Sequence, residues 1–186
     1  GLIAKGFGDF TASRQGRLTL NPIAHIDLLG TVILPALLIY LGGLVFGWAK
    51  PVPVNPYNFK NRNRGMFFVA LAGPFANLIM AIMWSILFTL YFAFSMQSLV
   101  TERFTELFSL MCTYGVFINL LLMLFNLLPI PPLDGGRVLR SVVSDKNGLL
   151  IDQLEPYGIF AVVGLLFFGI LEPLFSLVQS MTRFML

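Results

Sequence analysis

Long apolar stretches with no charge in them decide what this chain can fold into. Leu28 to Ala49 carries none, Met66 to Phe94 carries none, and Leu107 to Leu133 carries none. A fourth block runs from Tyr157 to Leu186, interrupted by Glu172-Pro173 and Arg183. About 20 apolar residues in helical form cross the hydrocarbon core of a bilayer, so each block is long enough to be a membrane segment. Composition agrees. The 186 residues are 57% hydrophobic and 11% charged, with 19 Phe, whereas a soluble domain is roughly a quarter charged. That excludes an ordinary soluble globule, and such hydrophobicity also excludes a disordered chain. The fold class expected is an all-α polytopic membrane protein, with residues 1–186 forming one membrane-embedded domain.

The connecting segments refine the topology. Lys50-Pro51-Val52-Pro53-Val54-Asn55-Pro56 cannot be helical, because three prolines remove donors and fix the backbone as extended. An extended or irregular region is therefore expected over residues 14–56. If all four blocks crossed, basic residues would divide five against seven. If the first block dips in and returns, they divide ten against two, a clear positive-inside pattern. Three spanning helices are thus expected, plus a re-entrant or kinked first block (28–49), for which Pro35 and Gly42-Gly43 are the natural places to break. The turn at Glu172-Pro173 is expected to leave the tail lying along the interface. The net charge of +3 reads as sidedness and not as a nucleic-acid surface. Cys112, alone of its type, reads as a small core residue.

The richest segment chemically is Asn126-Leu127-Leu128-Pro129-Ile130-Pro131-Pro132-Leu133-Asp134-Gly135-Gly136-Arg137. Its prolines end a helix at the end of an apolar run, and irregular backbone at membrane depth is tolerated only inside protein or against a wet cavity. Asp134 then reads two ways. It is a turn residue or N-cap for the next helix, or a ligand for an ion or metal, as befits an acidic group near a membrane. Asn126 also has two readings: an amide that binds an exposed peptide backbone, or polar glue between helices. Asn77 leans toward packing. His25, in an Asn-Pro-x-x-His loop beside Asp27, reads as a hydrogen-bonding interfacial residue and not a metal ligand.

That segment resembles the N-x-x-P-x-P-x-L-D-G motif of the site-2 protease family, the intramembrane zinc metalloproteases. Three further stretches resemble the small bacterial branch of that family in the same order. They are Gly8-Asp9 with Gly16 to Pro22 and His25-Ile26-Asp27, then Gly47 to Pro56, then Ala72-Gly73-Pro74-Phe75-Ala76-Asn77. The resemblance implies a zinc-dependent endopeptidase acting on membrane proteins or membrane-proximal peptides, multi-pass in a bacterial inner membrane, its active site toward the cytoplasm. It implies Asp134 as a metal ligand and Asn126 and Asn77 as substrate-binding residues. The family's H-E-x-x-H element is not among these residues, since His25 is the one histidine. By resemblance the two zinc histidines and the catalytic glutamate lie immediately upstream of Gly1. The chain alone is then expected to hold no catalytic residue and to be inactive. The competing expectation is a non-catalytic membrane scaffold or a small transporter component.

Overall fold

The computed structural model describes residues 1–19, 21–42, 47–94 and 101–186, apart from the side chain of Asp145. Gly43 of the expected break, Leu20, and the first part of the 95–106 linker lie outside the described residues. The secondary structure is helical, with no strand among the described residues. Three helical stretches are long and apolar enough to cross a membrane: Arg62–Ala93, Glu102–Asn126 and Lys146–Phe167. The chain forms two compact units, Gly1–Gly65 and Met66–Leu186.

The first unit is held together by polar ties and small contacts. Helices α1 (Leu2–Gly6) and α2 (Thr11–Arg14) are joined by a turn in which Gly8 takes φ +106°, a conformation open to glycine. Inside that turn Asp9 is 1% exposed. Its carboxylate accepts from the Thr11 amide at 3.0 Å, the Asn55 amide at 2.8 Å, Asn58 Nδ2 at 2.9 Å and the Thr11 hydroxyl. Burial pushes this carboxyl up, but the hydrogen bonds outweigh it and hold it well below the usual carboxylate range. The proline-rich stretch is thus stapled at its end to the α1–α2 turn. The Lys60 amide, bonded to the Phe7 carbonyl at 3.1 Å, and the edge-on Phe7–Phe59 pair continue the same seam.

The first apolar block returns to where it began. Asp27 caps its start by accepting from the Gly30 amide at 2.8 Å. Wide π-type turns over Leu28–Ile33 lead directly into α3, Leu34–Tyr40. Pro35 does not break this run, which stays helical through Tyr40; the wide π-type turns lie immediately before it. The helix ends at Gly42, with φ +66°. On the far side of residues 43–46, the Trp48 amide bonds the Gly30 carbonyl at 3.1 Å and the Lys50 amide bonds the His25 carbonyl at 2.9 Å. Thr31 Oγ1 donates to the Trp48 carbonyl at 2.8 Å. Thirteen residues, Leu28–Tyr40, rise only about 20 Å, short of the roughly 30 Å hydrocarbon core. The described ends of the block are thus tied together, and the extended region expected over 14–56 is interrupted by this helical segment.

The second unit is built on α4 (Arg62–Ala93) and α5 (Glu102–Asn126). They run antiparallel. Trp84 covers Gly115, where an added Cβ would come within 2.6 Å of the indole, and Tyr91 bonds the Thr105 hydroxyl at 2.8 Å. Ala81, Val116, Leu120 and Met123 form the buried seam, and Cys112 is also fully buried, the small-core role expected of it. Asn119 donates to the Gly115 carbonyl of its own helix at 2.8 Å. After α5 come three shorter helices: α6 (Asp134–Val142), α7 (Asp145–Leu154) and α8 (Gly158–Phe167). The charged 134–156 segment is therefore largely helical, and Arg140 pairs with Asp152 at 3.0 Å.

The tail departs from expectation. The chain turns before Glu172, at Gly169 with φ +68°, and α9 (Glu172–Met185) packs lengthwise on α5. Val178 is fully buried in the α4–α5 seam, and Ser85 Oγ donates to the Met185 carbonyl. A small apolar face facing an existing seam wins over the interface because packing and hydrogen bonding drive association within a bilayer.

Candidate functional site

The site begins where α5 stops. Asn126 is its last residue, and Pro129, Pro131 and Pro132 deny the next turn its donors. The backbone does not run straight, as the prolines alone suggest. It winds through tight turns, with the Ile130 amide on the Leu128 carbonyl at 2.8 Å and the Leu133 amide on the Ile130 carbonyl at 2.9 Å. The Pro131-Pro132 bond is cis.

Three glycines hold this loop from behind. A Cβ on Gly135 would collide with the Leu127 and Leu128 carbonyls, and one on Gly136 would come within 2.5 Å of the Pro131 nitrogen. One on Gly158, at the start of α8, would collide with the Pro131 carbonyl. Gly135 and Gly136 could be suspected from their place in the motif. Gly158 could not, because a lone glycine after Pro156-Tyr157 reads as an ordinary helix start.

Asp134 is the first residue of α6 and half-buried, yet its carboxylate caps nothing. Among the described residues it has no hydrogen-bond or ion-pair partner. The N-cap reading is therefore not what the fold uses it for. Burial pushes its carboxyl up, with the Arg137 guanidinium opposing. Its Oδ2 points at α4, where a Cβ on Gly73 would lie 2.9 Å away. The Asp-Gly-Gly element and the Gly-Pro-x-x-Asn element, 60 residues apart in sequence, thus meet at one carboxylate oxygen.

The other predicted residues stand around this contact at different removes. Asn77 is half-buried one turn beyond Gly73, on the same face of α4. Asn126 is half-buried at the mouth of the loop, and its side-chain amide has no partner among the described residues. Neither side chain has a hydrogen-bond partner among the described residues. His25 lies in the first unit, its Nε2 at 3.0 Å from the Thr19 carbonyl, a hydrogen-bonding role as expected.

A half-buried carboxylate with no hydrogen bond, its burial only partly offset by the Arg137 charge, is open to a further cation or donor. An oxygen ligand of this kind suits zinc. One ligand does not make a centre, and among the described residues no three His, Cys, Asp or Glu side chains gather to complete one.

Comparison with known proteins bears on this geometry. The model of Peptidase family M50 matches residues 94–169, which include the whole proline loop and Asp134. The chain is 42% identical over 158 residues to a Bacillus subtilis protein named "Putative zinc metalloprotease YwhC", covering 84% of this chain and 67% of the relative. It is 30% identical to proteins named "Putative zinc metalloprotease Rip2" from Mycolicibacterium smegmatis and Mycobacterium tuberculosis H37Rv. Those matches cover 86% and 92% of this chain but 57% and 64% of the relatives. The chain therefore spans about two thirds of the Bacillus protein and less of the mycobacterial ones. No solved structure matches it.

Proposed function

The chain belongs to peptidase family M50, and on that premise we propose that the intact protein hydrolyses peptide bonds within or beside a membrane, with Asp134 as the zinc ligand this chain contributes. The observation that carries the reading is the half-buried, unpartnered Asp134 carboxylate aimed at Gly73.

When bound, zinc supplies a Lewis acid and lowers the pKa of a coordinated water. The residues here prepare for that. Asp134 offers a carboxylate at a helix N-terminus, where the dipole favours its charge, and the Arg137 guanidinium partly offsets the upward push of burial. The glycine-backed proline loop fixes the approach to the carboxylate. A substrate helix hides its peptide bonds in its own ladder, so it must be locally unwound before cleavage. The unpartnered amide of Asn126 can both donate to and accept from such a strand, with Asn77 as a second polar contact. Asp134 is the part of a zinc centre that these residues supply. Substrates are membrane proteins or membrane-proximal peptides. The skew of basic residues and the bacterial relatives support a bacterial inner membrane with the site on the cytoplasmic side.

The test is zinc content and cleavage in the full-length protein. Asp134→Asn lowers bound zinc and abolishes cleavage, while Asn126→Ala slows cleavage about 10- to 100-fold with zinc retained. Full zinc occupancy in Asp134→Asn would overturn the assignment.

A further inference from the structure

The first unit carries a strong excess of basic side chains. Residues 1–65 contain seven basic side chains, Lys5, Arg14, Arg17, Lys50, Lys60, Arg62 and Arg64, against two carboxylates, Asp9 and Asp27. Both carboxylates are spent internally. Asp9 is buried among hydrogen-bond donors, and Asp27 caps the first apolar block. Among the described residues, no base of this unit forms an ion pair.

The bases are also gathered. Lys60, Arg62 and Arg64 are exposed at the first turn of α4, so they stand where an apolar span meets the headgroups. The Lys60 amide is bonded to the Phe7 carbonyl, which brings the turn after Lys5 alongside. Arg62 stacks on the Tyr57 ring at 5.0 Å. A guanidinium carries the N–H fork that fits a phosphate. At the base of the first apolar block the Arg17 guanidinium donates to the Ala24 carbonyl while Lys50 is tied to the next residue, His25. The same unit exposes apolar side chains among the described residues: Leu28 at 68%, Ile39 at 65% and Leu41 at 66%, with Trp48 and Tyr57 exposed as well.

We propose that this unit is a receptor for anionic phospholipid: Leu28–Tyr40 enters one leaflet, and Lys60, Arg62 and Arg64, spread around the start of α4, meet the phosphates of acidic headgroups. Charge complementarity and the length of that limb select a lipid. A helical limb too short to cross, tied back at its base, lies in a single leaflet and leaves the bases of this unit at phosphate depth.

The experiment uses the full chain in neutral detergent, titrated with phosphatidylglycerol or phosphatidylcholine, with retained lipid counted by native mass spectrometry. The wild type retains phosphatidylglycerol and not phosphatidylcholine. The triple variant Lys60→Gln/Arg62→Gln/Arg64→Gln, all at exposed positions, loses that retention about tenfold or more. Arg103→Gln, an exposed base outside the unit, keeps it. Excess inorganic phosphate leaves the lipid in place. Equal retention of the two lipids, an unaffected triple variant, an equal loss in Arg103→Gln, or release by free phosphate would each overturn the proposal.

Discussion

Asp9 accepts hydrogen bonds from three residues and is 1% exposed, whereas the half-buried Asp134 accepts none among the described residues. The contrast separates structure from function at a single residue type. Asp9 has been compensated by its own fold, so replacing it removes a staple. Its folded pKa lies below the unfolded value of about 3.9. Its contribution is therefore fully present above about pH 4 and fades as pH falls through the lower, folded value. Asp9→Asn puts an amide donor against donors and costs the first unit about 2–3 kcal/mol. Hydrogen exchange at the Thr11 and Asn55 amides, corrected for intrinsic rates, reads this directly. Protection in the wild type is flat from neutral pH to about 5 and declines below about 4, and Asp9→Asn lacks it throughout. Undiminished protection in the variant would show that the carboxylate is not the staple.

At the scale of elements, hydrophobic length located α4 and α5, and loop charge pointed to a first block that returns. Both signals survive without tertiary knowledge because each depends on lipid and water alone. What could not be read is decided between distant residues. The wrap of Trp48 over Gly30, the clamp of Gly158 on Pro131, and the seating of Val178 in the α4–α5 seam have no local signature. The proline loop shows the same limit: its prolines forbid helix, but glycines elsewhere choose turns over an extended run. Of the candidate site, Asp134 was legible through its motif, and its meeting with Gly73 was not. The return of the first block has a direct test. In sealed vesicles carrying a Cys112→Ala background, Arg14→Cys and Lys50→Cys react with a membrane-impermeant maleimide from the same side. Arg103→Cys, beyond α4, reacts from the other side. Opposite sidedness of positions 14 and 50 would mean that the first block crosses.

For the molecule as a whole, the distribution of apolar surface says what its solvent is. Only 17% of the most apolar window of α4 and 22% of that of α5 is buried within the protein, and 11% for Lys146–Phe167. Phe75, Ile79, Met83, Ile86 and Leu90 along α4 all stand exposed. In water such a surface would drive aggregation, since apolar patches beyond a few hundred Å² are rare on soluble monomers. In a bilayer the same surface costs nothing, because acyl chains are as apolar as leucine. The protein's own packing is then left to narrow seams of small and fitted side chains, Gly115 under Trp84 and Ala81 beside Val116. Held by lipid contact along its helices and not merely by headgroup charge, the chain resists salt and alkaline carbonate and leaves the membrane only with detergent. The triple variant Lys60→Gln/Arg62→Gln/Arg64→Gln stays in the membrane under the same treatment, because its lost contacts are to headgroups. Release of the wild type by carbonate would mean that these apolar faces are covered by protein and that the helices do not span.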